Sequence, residues 1–209
     1  MKISYAITVC NEFVEIQRLI THLLKTKRLQ DNIVVLYDAK NGDLEIENYL
    51  RSHSVNGEFA WHKDNFDGDF AAWKNRLKSL CNGDYIVFLD ADEMVTDYFM
   101  RILPDILSIN TPADMIRVPR VNRVNGITDA HIEKWGWRVD SRKRINYPDF
   151  QSRICKNIPE ITWTGRVHET LTGFRLEAVL PADIEEFALI HVKDIEKQEK
   201  QNEYYEKIG

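Results

Sequence analysis

Tyr85-Ile86-Val87-Phe88-Leu89-Asp90-Ala91-Asp92-Glu93 joins five consecutive apolar residues to three carboxylates. A short apolar run rich in β-branched and aromatic residues predicts a strand buried on both faces. Asn82-Gly83 before it punctuates the chain, and the carboxylates after it stand where the strand must leave the sheet. Two further apolar runs precede it. Residues 3–9 lead into Asn11-Glu12, and 32–38 end in Asp38. Between the runs lie segments of helical periodicity, carried by Phe13, Ile16, Leu19, Ile20, Leu23 and Leu24, then by residues 44–52, then by Phe70, Ala71, Trp73, Leu77 and Leu80. A further short strand is predicted at 59–62. Strands alternating with helices predict an α/β fold, a central, mostly parallel sheet flanked by helices. Ligands bind such sheets beyond the carboxyl ends of the strands. Asn11, Glu12, Asp38, Asp90 and Asp92 are therefore expected to converge on one edge.

The second half reads differently. A helix is predicted over 96–107, bent or ended by Pro104. Strands are predicted at 115–121, 151–156, 162–172 and 187–192, joined by longer, turn-rich connections. A smaller mixed or antiparallel half is expected, closed by a charged exposed helix over 194–207. The whole is expected to be one domain, 1–209, with a nucleotide-type half at 1–110 and a variable half at 111–209.

Composition narrows the function. The chain has 209 residues, 44% apolar and 29% charged, with 28 Lys and Arg against 33 Asp and Glu, a net charge of −5. That supports a folded core and argues against duplex binding through phosphate neutralisation, so no nucleic-acid partner is expected. Cys10, Cys81 and Cys155 form no CxxC pair. This argues against a disulfide framework and for a reducing compartment, the cytoplasm. No run of about 18 apolar residues predicts a membrane span, although an acceptor at a membrane surface and a longer parent chain both stay open.

Carboxylates spaced as Asp90 and Asp92 suit Mg²⁺ or Mn²⁺, which in turn neutralise a diphosphate. His191 ends an apolar run and is a candidate third ligand, with His168 as the alternative. Trp135 and Trp137, with His168 nearby, are candidates for an acceptor platform, because aromatic rings pack on the apolar faces of sugars. Residues 117–144 hold eight Arg and Lys and are a candidate anion-attracting rim.

At this point the chain resembles the family-2 glycosyltransferases of the GT-A, nucleotide-diphospho-sugar transferase, fold. The resemblance rests on Ala6-Ile7-Thr8-Val9-Cys10-Asn11-Glu12, on Asp69-Phe70-Ala71-Ala72-Trp73-Lys74-Asn75 and on the block from Gly83 to Glu93. Pro148-Asp149-Phe150-Gln151-Ser152-Arg153, Val167-His168-Glu169 and Leu189-Ile190-His191 extend it in patches. Thr8 and Cys10 stand where that family usually carries a proline and an aromatic. The resemblance implies transfer of a hexose from a nucleotide sugar, UDP-linked, to a hydroxyl of a glycan or glycoconjugate, with inversion and a divalent cation. It implies that Thr8, Asn11, Glu12, Asp38, Lys74, Asn75, Asp90 and Ala91 line the donor pocket. Asp90, Asp92 and His191 would hold Mn²⁺ or Mg²⁺. Inversion needs a general base, for which Glu169 and Asp149 are the candidates. Two other readings stay open: a non-catalytic carbohydrate- or nucleotide-sugar-binding module, and a sugar-1-phosphate nucleotidyltransferase. The latter usually needs a glycine-rich loop after the first strand, where this chain has Cys10-Asn11-Glu12-Phe13.

Overall fold

A computed structural model describes residues 1–208, without the side chains of 201 and 204–208. The elements run β1 (Ile3–Val9), α1 (Phe13–Thr26), β2 (Asn32–Asp38), α2 (Leu44–His53), β3 (Ala60–Asp64), α3 (Phe70–Ser79), β4 (Tyr85–Asp90), β5 (Glu93–Met94) and α4 (Asp97–Ile109). They continue with β6 (Met115–Asn125), α5 (Asp129–Trp135), β7 (Ile145–Lys156), β8 (Thr162–Thr164), β9 (Thr170–Thr172), β10 (Glu177–Val179), β11 (Leu189–Asp194) and α6 (Ile195–Ile208).

One sheet carries both halves, in the order β3-β2-β1-β4-β7-β6-β11-β5, with β10 also pairing β6. β1 pairs β2 and β4 in parallel, as the alternating pattern predicts. The direction reverses at β7, which runs antiparallel to both β4 and β6. β11 then lies parallel to β6 and antiparallel to the two-residue β5.

β1 is buried on both faces because each is covered. Ile3, Tyr5 and Ile7 meet Leu19 and Leu23 of α1, Leu50 of α2 and Leu103 of α4 in one cluster. Ala6 on the other face packs with Leu77 of α3 and with Trp163 and Leu171 of the β8–β9 hairpin. Each such fully buried apolar side chain contributes about 1.5–3 kcal/mol.

The structure corrects several expectations. The third strand begins at Ala60 and runs to Asp64, a polar edge strand. α4 continues through Pro104 to Ile109, held by Leu103 and Leu107 against the core. The stretch 162–172 is a two-stranded hairpin, not one strand. β7 begins at Ile145, six residues before the strand expected at 151–156, and so includes Asp149. α5 was not predicted, and it has no buried residue, so no apolar stripe marks it. β11 extends through Asp194, where the exposed helix was expected to begin, and Lys193 within it is buried.

Candidate active site

A cavity of about 1090 Å³ opens beyond the carboxyl ends of β1, β2 and β4 and reaches across β6, β7 and the β8–β9 hairpin. Thr8, Asn11, Glu12, Asp38, Lys74, Asp90, Ala91 and Asp92 all line it, as do His168, Glu169 and His191. The sheet edge brings the first group together. The second arrives through long-range strand pairing. Among the described residues, eight Lys and Arg and five Asp and Glu line the cavity, so it is electropositive in a chain of net charge −5.

The loops on the β1–β2 side are tied by carboxylates. Asp38 Oδ1 accepts from the backbone N–H of Lys40, Asn41 and Phe66 at 3.0, 3.3 and 3.2 Å, and its Oδ2 from the Asn41 amide at 2.8 Å. Gly42 is required there, because a Cβ would lie 2.3 Å from the Asp38 carbonyl. Glu12 accepts from the N–H of Cys10 and Asn11 at 3.0 and 3.1 Å. Phe66 packs on Phe70 and Trp73, giving the cavity an aromatic rim that periodicity alone had assigned to a polar loop and a helix face.

The two aspartates after β4 have different partners. Asp90 Oδ2 accepts from Arg153 at 2.7 Å, and its Oδ1 from Thr8 at 3.4 Å. Glu93, fully buried, accepts from Arg153, from Arg120 at 3.0 Å and from the Asp90 N–H at 3.1 Å. Burial pushes the Asp90 carboxyl up, but the charges of Arg153, Lys74 and Arg120 outweigh it and hold the group well below the usual carboxylate range. Arg153 shares the network: burial disfavours its charge, and Asp90 and Glu93 raise its pKa regardless. Arg153 and Glu93 were not predicted as site residues. Arg153 was visible only as a basic residue on a strand.

Asp92 faces the other way. The β5–β11 pairing sets His191 opposite Glu93, which brings its ring beside Asp92. His191 Nε2 lies 3.4 Å from Asp92 Oδ2, with Lys193 Nζ at 3.5 Å and Lys197 Nζ at 3.9 Å. Burial raises the Asp92 pKa, and the His191 contact and the Lys193 charge more than reverse it, so the carboxylate stays ionised.

Asp149 is not a cavity-lining residue among those described. Its oxygens accept from Arg120 at 2.9 Å, Asn122 at 2.8 Å and Gln151 at 2.6 Å. Burial and these donors oppose each other, and the donors win, leaving its pKa low. With its amide NH₂ on Asp149, Asn122 turns its oxygen to His191 Nδ1 at 2.7 Å. That acceptor places a ring proton on Nδ1 and turns Nε2 to the Asp92 carboxylate. A carboxylate suits Mn²⁺ or Mg²⁺, and a neutral imidazole beside it can serve as a further ligand. With Asp90 held by Arg153, no group of three or more His, Cys, Asp or Glu among the described residues is gathered to hold a metal alone.

Glu169 sits in the turn between β8 and β9. Gly165 at φ 96° and His168 at φ 56° bend that turn through left-handed backbone, the first at no steric cost. Its carboxylate lies 2.5 Å from Lys74 Nζ, which stands 4.6 Å from the centre of the Trp163 ring. Asp69 caps α3 through the Ala72 N–H at 2.9 Å and so sets the helix that presents Lys74. Asn75 points elsewhere. Its amide donates to the Trp163 carbonyl at 2.8 Å and accepts from the Trp163 N–H at 2.9 Å, clasping the hairpin to α3.

Trp137 reaches the cavity wall. Trp135 lies outside it, stacked between His131 and Trp137 with centroid distances of 5.3 and 4.6 Å. Much of the expected basic rim is engaged in ion pairs: Arg117 pairs with Glu177, and Arg123, Arg142 and Arg144 share Glu185. No helix among the described residues is long and apolar enough to cross a membrane.

Comparison with curated protein sequences gives no match. Solved structures similar to the chain include S. aureus TarS 1-349 in complex with UDP-GlcNAc, at TM-score 0.61 and 14% identity over 92% of this chain and 59% of that one. The same protein in complex with UDP aligns at TM-score 0.60 and 16% identity, over 92% and 60% of the two chains. Against S. aureus TarS the values are 0.60 and 12%, over 92% of this chain and 37% of that one. The chain thus spans about three fifths of the length of TarS 1-349. These likenesses establish the GT-A fold. The family model described as "Glycosyl transferase family 2" matches residues 4–197, nearly the whole sequence, and the chain therefore belongs to that family.

Proposed function

We propose that the chain transfers a hexosyl group from a UDP-linked sugar to a hydroxyl of a glycan or glycoconjugate, with inversion and with the help of a divalent cation. The observation that carries this is the placement of the Asp92–His191 pair, at 3.4 Å, and of Glu169 on the walls of one electropositive cavity. The TarS complexes with UDP-GlcNAc and UDP support a uridine nucleotide as donor.

In this reading residues 1–110 hold the nucleotide and residues 111–209 the acceptor, within one domain. Thr8, Asn11, Glu12 and Ala91 border the donor, and Asp38 shapes the loops around the base. Asp92 and His191 would hold Mn²⁺ or Mg²⁺, which when bound neutralises charge on the diphosphate. Asp90 orients this corner through Arg153. Glu169 is the general base. Its carboxylate takes the proton of the acceptor hydroxyl as that oxygen bonds to the anomeric carbon, and the bond from that carbon to the diphosphate oxygen breaks, releasing UDP. Lys74 holds Glu169 in place, and Trp137 and His168 border the acceptor. Asp149, Asn75 and Trp135 support neighbouring residues without touching substrate.

The test is calorimetric titration of UDP and GDP, with and without Mn²⁺, into wild type and Asp92→Ala. Binding of UDP that needs both Mn²⁺ and Asp92 is expected. Absence of nucleotide binding under every condition overturns the assignment and favours a carbohydrate-binding module.

A further inference from the structure

Between Val121 and Ile145, both buried, the chain leaves the core, and none of residues 122–144 is buried. This excursion nevertheless carries Ile132, Trp135, Trp137 and Val139. Its tip is shaped by its own bonds. Gly136 at φ 62° ends α5, and the Trp137 N–H donates to the Ile132 carbonyl at 3.0 Å. The Asn146 N–H donates to the Arg138 carbonyl at 2.8 Å, and Asp140 Oδ1 accepts from the N–H of Arg142 and Arg144, each at 2.9 Å. Trp135 and Trp137, in ring contact, stay partly exposed at the base of this hairpin. Apolar side chains clustered outside the core mark an interaction surface.

The charges of the tip point to its partner. Of the eight Arg and Lys at 117–144, five pair with carboxylates: Arg117 with Glu177, Arg120 with Glu93 and Asp149, and Arg123, Arg142 and Arg144 with Glu185. Lys134, Arg138 and Lys143 are exposed and pair with no carboxylate among the described residues. The nearby carboxylates do not cancel them. Glu133 stands two residues from Trp135 and so on another face of α5. Asp140 is held by Arg144 and two N–H groups. Glu185 is shared by three guanidiniums, and its neighbours Asp183 and Glu186 pair with none of these cations. The tip, 133–144, thus sets five Arg and Lys against Glu133, Asp140 and the shared Glu185.

We propose that residues 133–144 dock on the surface of an anionic lipid bilayer, with Trp135 and Val139 entering the headgroup layer and Lys134, Arg138 and Lys143 meeting the lipid phosphates. Indole rings settle at headgroup level, and each Lys or Arg held near an anionic leaflet adds attraction. Asn122, Arg123, Val124 and Trp137 of the same excursion line the cavity, so docking sets the cavity mouth beside the headgroups. The acceptor that this position serves is a lipid-borne glycoconjugate. That consequence rests on the transferase reading above, whereas the docking itself does not.

The experiment is co-sedimentation of the chain with vesicles of phosphatidylcholine alone and of phosphatidylcholine with an equal part of phosphatidylglycerol. The proteins are wild type and Arg138→Gln/Lys143→Gln, and UDP binding with Mn²⁺ is titrated in parallel. Wild type is expected to bind only the anionic vesicles and to be released as salt rises. One cation near an anionic leaflet corresponds to about fivefold in affinity, so the double variant is expected to bind about 25-fold more weakly, with UDP affinity unchanged. Both substituted side chains are exposed and unpaired, so their replacement leaves the fold intact. Wild type that sediments with neither vesicle, or a variant that binds the anionic vesicles as wild type does, overturns the docking and leaves the transferase reading to the UDP titration. Retention on polyglutamate but not on vesicles also overturns it and assigns the tip to an acidic protein. Vesicle binding without UDP binding supports the docking and overturns the transferase reading.

Discussion

The two walls of the cavity are built by different means. The β1–β2–β4 wall consists of strand ends whose positions follow from burial. Ile3, Ile7, Val35 and Leu89 are buried to 1% exposure or less, and the polar residues follow as each strand leaves the core. The opposite wall is assembled by pairings between distant segments: β5 with β11, β6 with β7, and the β8–β9 hairpin clasped by Asn75. The first wall presents backbone turns and carboxylates suited to one kind of ligand. The second supplies most of the cations, the imidazole and Glu169. Chemistry at the junction depends on the second wall being held in register against the first, and ion pairs do that holding.

The contrast breaks most sharply at Glu169. If it is the base, Glu169→Gln lowers kcat by about 10²–10⁴-fold. Because the buried Lys74 then keeps only the Asp90 carboxylate, at 4.0 Å, a lowered melting temperature accompanies the loss, so activity in transfer assays is compared well below it. Next in size is Arg153, the ion-pair link between β7 and the β4–β5 corner. Arg153→Met leaves Asp90 and Glu93 without that partner, and about 3–5 kcal/mol of stability is expected to disappear in urea unfolding at pH 7. Asp90 has its carboxyl pKa lowered in the folded state, so its contribution is present above the ordinary value near 3.9 and is lost as pH falls below it. The gap between wild type and variant therefore narrows below about pH 4.

A smaller effect sharpens the comparison at His191. Asp149→Asn or Asn122→Ala releases the ring orientation, and Mn²⁺ affinity measured in the presence of UDP is expected to drop about 10–100-fold. Asn75→Ala leaves the Trp163 N–H and carbonyl without their partner, costing about 1–3 kcal/mol in urea unfolding. The smallest effect lies in the thiols. Burial, and at Cys10 also the nearby Asp38 charge, pushes Cys10 and Cys81 up to about 12, as burial chiefly does for Cys155. Labelling with a thiol reagent at pH 8 should leave all three slower than a free cysteine until the chain is denatured.

The first wall was legible in the amino-acid order. Apolar runs ending in Asn11-Glu12, Asp38 and Asp90-Ala91-Asp92 define strand ends on one sheet edge, because a buried strand admits charge only where it leaves the core. Family resemblance added Glu169 and His191, and the fold sets both on the cavity. Local sequence had no means of separating Asp90 from Asp92. They are two residues apart, yet Arg153 from β7 holds one and His191 from β11 stands beside the other. Nor did it settle between Glu169 and Asp149, because what separates them is their partners: Lys74 in one case, three donors around Arg120 in the other. Lys197 reads as part of an exposed charged helix, and only the pairing of β11 with β6 shows that the segment before it is buried at Lys193. The division has one physical cause. Periodicity and burial act between neighbours in the chain and can be read from order alone, whereas the ion pairs that choose among carboxylates form between distant residues, Arg120 and Asp149 29 positions apart and Arg153 and Asp90 63, where only the folded register decides which charges meet.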